Sequence, residues 1–160
     1  MARKKHNAQK KPKQRVKPLE KKTPQQSHNP DDFREKPFCW RVNKSYIDLD
    51  GPYGWKNVST DALLFEVIKC LQDHEARQWK EVLNDHDSKG HKKNHDMPVD
   101  KLVTLAQKRL QEINKEEEDS LFSLRVSGKQ RLWGIRKSST LYLLWWDPDH
   151  KVYSVKRRHT

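Results

Sequence analysis

Three arginines in the C-terminal third of the chain have the chemistry to act together on a phosphate. Arg125, Arg131 and Arg136 fall in or at the ends of segments that read as neighbouring strands. If their side chains share one face, they form a cationic strip, and arginine binds phosphate through two parallel hydrogen bonds. Such a strip can hold a phosphodiester and stabilise the charge that develops during its cleavage. The alternative is a sheet face that serves solubility alone.

Aromatic side chains lie among basic residues in the same region, the segment from Arg131 to Tyr153. Trp133, Trp145 and Trp146 can either form the core of a small domain or offer a surface that stacks on a base or a partner. Stacking needs basic groups beside the aromatic rings. The flanking turns supply such groups: Lys129, Arg131, Arg136, Lys137, His150 and Lys151.

The elements that must position these residues read as strands, because the apolar pattern after residue 120 has a period of two. Phe122, Leu124 and Val126 fall on one face of the first strand. The segment LYLLWW (141–146) is almost entirely apolar and predicts a central strand, with Leu143 and Trp145 in the core. Strict alternation places Trp146 on the opposite face. The predicted strands here are 121–126, 130–136, 141–146 and a short last one, 151–155.

Helices are predicted earlier in the chain. Residues 59–75 carry an apolar stripe at helical spacing, with Ser59 or Thr60 as the cap; the stripe comprises Leu63, Leu64, Val67, Ile68 and Leu71. A short helix follows over 77–83, and the polar run 84–96 predicts a solvated loop. Asp96 then caps a further helix with Pro98 in its first turn. An aromatic strand is predicted near Pro37.

This order of elements predicts an α+β fold with one domain over residues 31–160. The expected arrangement is a two-layer sandwich of order β-α-α-β-β-β, with the short C-terminal segment as an optional further strand. The sheet is expected to be mostly antiparallel, with the two helices on one face. Short turns between the last strands leave little choice of topology.

Residues 1–30 differ sharply in composition from the rest. They contain ten of the 34 basic residues and one acid, so they carry +9 of the net charge of +12. Few apolar residues are available to offset the entropy of ordering, so a disordered basic tail is expected. Such a tail favours polyanions, nucleic acid first. Lys10, Lys11 and Lys13 are its candidate contacts; a solubilising tail without a target is the alternative.

Several other classes of protein and site are disfavoured. No apolar run approaches the length of a membrane span, and the basic N-terminus lacks the apolar core of a secretory signal. Cys39 and Cys70 are expected to be reduced, as in a cytoplasmic protein. His86, His91 and His95 lie in a Lys-rich polar loop that opposes a cation, so neither a metal nor another cofactor is expected.

The segment LFSLRVSGKQRLWGIRKSSTLYLLWW, with the element order above, resembles the RelE/ParE toxin superfamily. That family includes mRNA interferases of bacterial toxin–antitoxin systems. The pattern LR…GK.R.WGIR is similar to its strand–turn–strand, in which basic residues flank a glycine turn before a central apolar strand. The resemblance covers about residues 38–158. The positions that match the family's functional residues are Arg125, Lys129, Arg131, Arg136, Tyr153 and His159.

The resemblance implies a cofactor-independent cleavage of mRNA on the ribosome, by attack of a ribose 2′-OH on the adjacent phosphate. A base with a pKa near neutrality suits that step, and His150 or His159 could serve. Arg131 or Arg125 would bind the phosphate oxygens, with Tyr153 or Lys156 as acid or electrostatic partner. Further contacts to nucleic acid are expected from Lys129, Lys137, Lys151, Lys156, Arg157 and Arg158.

The sequence therefore predicts a toxin-like protein that acts on RNA, with RNA or the ribosome and an antitoxin protein as expected partners. Two alternatives remain open. One is a non-catalytic module that binds RNA or the ribosome. The other is a protein-interaction domain of the same fold, because ParE-like members keep the fold without RNA cleavage.

Overall fold

A five-stranded sheet forms the centre of the computed structural model, which describes residues 32–154. The strand order is β1-β5-β4-β3-β2; β1 pairs parallel with β5, and the other three pairings are antiparallel. The α+β class and the mostly antiparallel sheet are thus confirmed. The strands are β1 Cys39–Arg41, β2 His95–Pro98, β3 Ser120–Ser127, β4 Gln130–Lys137 and β5 Thr140–Asp147.

Three helices accompany the sheet. The first, α1, is continuous and combines a π-helical segment, Ala62–Ile68, with an α-helical segment, Lys69–Glu75. The second, α2, spans Trp79–Leu83 and the third, α3, spans Thr104–Glu112. The predicted Ser59 cap is present, since its hydroxyl oxygen accepts a hydrogen bond from the Ala62 amide at 3.1 Å. No helix within residues 32–154 is long and apolar enough to cross a bilayer.

The helices cover both faces of the sheet rather than one. On the first face, Val67 and Leu71 of α1 and Trp79 of α2 pack on a cluster that includes Phe122 and Leu141. On the second face, α3 packs through Ala106 and Leu110 on a different cluster that includes Trp133 and Trp145. The expectation that both helices share one face is wrong. Because β5 carries large apolar side chains on both sides, each face needs a cover.

A β-bulge in β5 changes the predicted facing of its side chains. Trp133 pairs with Trp145 but Gly134 pairs with Leu143, so Leu144 is the extra residue. Trp146 consequently joins Leu143 on the first face, while Leu144 and Trp145 share the second. The Leu144 carbonyl, freed from the ladder, accepts hydrogen bonds from the Trp55 indole (2.9 Å) and the Asp48 amide (3.2 Å).

Residues 84–98 are more ordered than the polar composition predicts. The predicted helix start at Asp96 is wrong: β2 runs antiparallel to β3 there, and α3 begins only at Thr104. Met97 is buried opposite Leu121, which secures the strand. Asn94 is buried as well, and it links the Val82 carbonyl (3.0 Å) to the Arg125 amide (2.9 Å).

The last predicted strand is absent from the part of the chain that the structure describes, because residues 151–154 leave the sheet. The buried Asp147 carboxylate accepts the Lys151 and Val152 amides at 2.8 and 2.9 Å, which turns the chain back at the end of β5. His150 lies within this turn with φ 61°. Val152 then packs fully buried beneath α3.

The π-helical segment of α1 changes the exposure predicted for Leu64. Leu64 is 51% exposed, because the wider π-helical turn moves it out of the stripe expected at α-helical spacing.

Asp48 is buried, and it binds the Nε and Nη2 of Arg109 at 2.8 and 2.7 Å and the indole of Trp145 at 2.8 Å. This ion pair ties α3 to the loop before α1 and to β5.

Candidate nucleic-acid interface

Arg125 and Arg131 face each other across β3 and β4. They are Cα partners in the antiparallel ladder, and alternation places both on the face that carries Trp133. Both are only partly exposed. Like charges directly opposite each other destabilise a sheet, so this pairing is costly for the fold.

The Arg131 charge is not neutralised within the described domain. Its Nη1 donates to the Gly128 carbonyl at 3.1 Å and to the Gln130 carbonyl at 2.9 Å, and these contacts orient the guanidinium. Among residues 32–154, no carboxylate lies within 4.0 Å of it, and Nε and Nη2 have no hydrogen-bond partner. Burial, and then the charge of Arg125, lower the pKa of Arg131, while the more distant Asp147 opposes the shift. One edge of the arginine fork thus remains open to an anion.

Three of the other partly buried arginines of the domain are compensated. Arg77 binds Asp85, Arg109 binds Asp48 and Arg136 binds Asp96, with nitrogen–oxygen distances of 2.7, 2.7 and 2.8 Å respectively. Buried charges are generally paired, because an unpaired one loses hydration without a replacement. Arg131 departs from this rule, which marks it as a candidate anion site.

His150 stands beside Arg131 in the turn that follows β5. The Asp147 carboxylate holds this turn, and Tyr153 supports the imidazole by an edge contact, with ring centroids 6.3 Å apart. Burial, followed by the positive charge of Arg131, lowers the pKa of His150, while Asp147 opposes the shift. The backbone of His150 is left-handed, a conformation that histidine adopts more readily than most residues and that this turn requires.

His95 is brought to the same face by β2. It pairs with Ser123 of β3 and lies two residues before the buried Met97, so both share the Trp133 face. Its Nδ1 is enclosed and has no hydrogen-bond partner in the described domain. Burial, followed by the charge of Arg131, lowers the pKa of its imidazole. The sequence interpretation placed His95 in a solvated loop and missed it; the alternation of His95 and Met97 was the available signal.

An open cleft of about 360 Å³ lies between the β3–β4 turn and the turn that follows β5. Arg131 and His150 line it together with Lys129 of the β3–β4 turn, which is exposed. Asp149 also lines the cleft, but the Lys151 ammonium group lies 2.8 Å from its carboxylate and compensates it. We define the Arg131 site as His95, Arg125, Lys129, Arg131 and His150.

Arg125 also borders a second cleft, of about 440 Å³, beneath the loop 84–94. Its Nη1 lies 3.8 Å from the Asp87 carboxylate, a loose contact. Arg77 and Asp85 line this second cleft too, and they neutralise each other. Lys93 lines the second cleft as well, so that cleft also carries a net positive charge, and the Arg131 side is distinguished by a guanidinium without a carboxylate partner in the described domain.

Other predicted residues lie apart from the Arg131 site. Arg136 is on the opposite face, with its guanidinium carbon 4.1 Å from the centroid of the Phe33 ring. The three arginines consequently do not form one strip. Lys137 lies at the far end of β4, about 20 Å from Arg131 at the usual strand rise, and pairs with Glu118 at 2.8 Å.

Several predicted residues lie outside the described residues. In the C-terminal segment these are Lys156, Arg157, Arg158 and His159, and in the N-terminal segment they are Lys10, Lys11 and Lys13. Their expected contacts with nucleic acid, and the expected catalytic part of His159, stay predictions.

The tryptophans of the opening segment are core residues. Trp133, Trp145 and Trp146 are all at most 6% exposed. Tyr142 is partly buried and stacks on Tyr46, with ring centroids 4.5 Å apart. Of the two interpretations of these aromatics, the core is therefore correct for all three tryptophans.

The described domain offers no group of three or more His, Cys, Asp or Glu side chains arranged to hold a metal ion. Its cysteines are free; Cys39 is exposed and Cys70 is buried, which raises the pKa of the Cys70 thiol to about 11. Comparison of the chain with protein-family models, with curated proteins and with solved structures finds no match.

Proposed function

We propose that this protein acts on RNA through the Arg131 site, as a toxin-like, metal-independent endoribonuclease that cleaves mRNA on the ribosome. The observation that carries the proposal is the partly buried, uncompensated guanidinium of Arg131. Its Nη1 is anchored by two backbone carbonyls, and its remaining edge is open to the cleft. A phosphodiester supplies the two oxygen acceptors that this edge requires.

The surroundings of Arg131 favour a polyanion over a single small anion. Arg125 adds a second charge on the same face, and Lys129 adds a third at the rim of the cleft. The cleft is open rather than enclosed, so a chain of phosphates can pass through it. The excess charge of residues 1–30 supplies attraction that does not depend on nucleic-acid sequence.

Cleavage, rather than binding alone, is proposed because two imidazoles stand beside the phosphate site. Histidine is the side chain that most readily exchanges protons near neutral pH. Arg131 and Arg125 stabilise the additional negative charge that the phosphorus oxygens gain as a ribose 2′-OH attacks. The proposed assignment to a toxin–antitoxin system rests on the resemblance of residues 38–158 to the RelE/ParE superfamily.

Induced expression of the full chain in a bacterial host tests this proposal. Wild type is expected to arrest growth and to produce new mRNA 5′ ends within translated regions. Arg131→Ala is expected to abolish both effects, because the phosphate loses its principal ligand. Arg41→Ala is the matched control, since Arg41 is an exposed arginine of β1 and its loss removes the same charge.

Growth without arrest in wild type, at an expression level confirmed by immunoblot, would overturn the endoribonuclease proposal. Arrest that persists in Arg131→Ala would overturn the assignment of the site.

A non-catalytic RNA-binding module is the second candidate, favoured by the +9 charge of residues 1–30. It predicts RNA binding without any new mRNA ends.

A further inference from the structure

We propose that His95 is the general base and His150 the general acid of this cleavage, acting on a phosphodiester that Arg131 holds between them. The inference rests on the proposed function and deepens it by naming the two groups that move protons. It brings in His95, a residue of β2 that the chain's sequence pattern does not single out, and it gives His150 the part of the acid.

The sheet register provides the geometry. His95 is opposite Ser123 on β3, which is opposite Trp133 on β4, and Arg131 lies two residues before Trp133 on the same face. At the usual strand spacing and rise, the Cα atoms of His95 and Arg131 are about 12 Å apart. His150 approaches Arg131 from the other side, in the turn after β5. Arg131 and His150 line one cleft, and the imidazole of His95 is near enough to feel the charges of both.

The environment of His95 is hard to explain by packing alone. A histidine that serves only the fold generally has its buried nitrogen hydrogen-bonded, yet the enclosed Nδ1 of His95 has no partner within residues 32–154. Its second nitrogen, Nε2, remains for a ligand. A buried polar atom without a partner requires an explanation, and a catalytic role is one of the few that apply.

The charges that face the two histidines assign their roles. His95 faces Arg131, Lys92, His150 and Asp96, and the Asp96 carboxylate is already compensated by Arg136 at 2.8 Å. These surroundings favour the neutral imidazole, which is the form a base requires.

His150 faces Arg131, Arg125 and Asp147, with Tyr153 packed against its edge. Within residues 32–154, the buried Asp147 carboxylate accepts hydrogen bonds from three donors, all uncharged: the Lys151 and Val152 amides and the Trp133 indole. Burial and Arg131 lower the pKa of His150, and Asp147 is the carboxylate that acts against them in favour of the imidazolium, the form an acid requires.

The reaction balances without a metal or a co-reactant. His95 takes the proton of the ribose 2′-OH as the 2′-oxygen forms a bond to phosphorus. The bond from phosphorus to the 5′-oxygen breaks, and that oxygen receives the proton of His150. The products are a 2′,3′-cyclic phosphate and a 5′-hydroxyl end. Proton exchange with water then returns both imidazoles to their starting states.

Single-turnover cleavage of a synthetic mRNA in ribosome complexes tests the assignment. His95→Gln and His150→Gln are each expected to slow cleavage about a hundredfold or more, as for loss of a general acid or base. His91→Gln is the control, because His91 is an exposed histidine of the nearby loop, and it is expected to stay within about threefold of wild type. Thermal denaturation checks that each variant is folded.

A change of leaving group separates the two roles. In an mRNA whose scissile 5′-oxygen is replaced by sulfur, the leaving thiolate needs no protonation. His150→Gln is therefore expected to regain most of the wild-type rate on this substrate, while His95→Gln stays slow. Rescue of His95→Gln in place of His150→Gln would overturn the assignment.

The failure of this inference can be told from the failure of the proposed function. Cleavage by His95→Gln within about tenfold of wild type overturns the role of His95 and leaves the endoribonuclease in place. No cleavage by wild type removes the function and the inference with it.

Binding of a non-cleavable 2′-deoxy analogue adds a readout that is independent of rate. Proton NMR is expected to show that the pKa values of both histidines rise when the analogue is bound, because its phosphate brings a negative charge beside them. Unchanged pKa values in the bound complex would overturn the proposed contact.

Discussion

At the scale of single residues, Arg131 and Arg109 show the two ways in which this domain treats a partly buried guanidinium. Arg109 donates to both oxygens of the Asp48 carboxylate, and the Trp145 indole donates to the same carboxylate, so Asp48 links α3 to β5. Arg131 has no such partner within the described domain and faces Arg125 instead. The first arrangement serves the fold, and the second leaves a charge available to a ligand.

Replacement of Asp48 is predicted to destabilise the protein strongly. Asp48→Ala leaves Arg109 and the Trp145 indole without their buried partner, so the free energy of unfolding should fall by about 3 kcal/mol. Urea denaturation measures the change. The matched control is Asp50→Ala, because Asp50 is exposed and its pair with Lys56 (3.3 Å) is a surface contact worth at most about 1 kcal/mol. Equal losses in the two variants would contradict the account.

The Asp48 carboxylate should also make the stability of the protein depend on pH. Although burial opposes the shift, hydrogen bonds from Arg109, Trp145 and Gly51 hold the pKa of Asp48 below its ordinary value of 3.8. A lowered pKa in the folded state stabilises the protein above that value, and the contribution is lost as pH falls through the folded-state pKa. Wild type should therefore lose more stability than Asp48→Ala as the pH falls below 3.8. Parallel losses would contradict this assignment.

At the scale of elements, the junction of β4 and β5 depends on Gly134. A Cβ atom there would lie 2.7 Å from the Tyr142 carbonyl oxygen and 2.6 Å from the Leu141 side chain. The carbonyl belongs to the paired strand next to the bulge at Leu144, so it has little freedom to move. The close approach of these two strands therefore requires glycine.

Gly134→Ala is accordingly predicted to lower the free energy of unfolding by about 1–3 kcal/mol through overpacking. Thermal and urea denaturation measure the loss. Ser88→Ala, in the exposed part of the loop 84–94, is the control and should change stability by less than about 0.5 kcal/mol. A Gly134→Ala variant as stable as wild type would show that the strands separate more easily than the structure indicates.

The sequence predicts the central strands and the early helices because their patterns are strong. The alternation of Phe122 and Leu124 and the apolar run 141–146 correspond to β3 and β5. The features it did not predict depend on tertiary contacts. β2 has one apolar anchor, Met97, and its partner Leu121 is remote in sequence. The bulge at Leu144 is set by hydrogen bonds from Trp55 and Asp48, which no local pattern reveals.

The same reasoning explains which site residues were predictable. Arg125 and Arg131 could be paired from the sequence, because a short turn joins their strands. Arg136 lies five positions after Arg131, so alternation itself places it on the opposite face, where Asp96 and Phe33 bind it. For His95 the sequence offers one weak signal, the apolar Met97 two residues later, which did not reveal β2.

At the scale of the whole molecule, charge is divided between a basic segment and a folded site. Residues 1–30 hold +9 of the net +12, whereas the Arg131 site adds three basic side chains on one face of the sheet. Attraction to a polyanion falls steeply as salt rises. The basic segment should thus govern how strongly affinity depends on salt, and Arg131 should govern binding at the site itself.

The affinity of the full chain for single-stranded RNA, measured by fluorescence anisotropy at several salt concentrations, tests the central claim most directly. Arg131→Ala is predicted to weaken binding about tenfold, equivalent to about 1.4 kcal/mol, because a phosphate loses two charge-assisted hydrogen bonds. Arg41→Ala removes the same charge from an exposed site and is predicted to weaken binding by at most about twofold. Equal affinities for the two variants would contradict the assignment of Arg131 as the phosphate ligand.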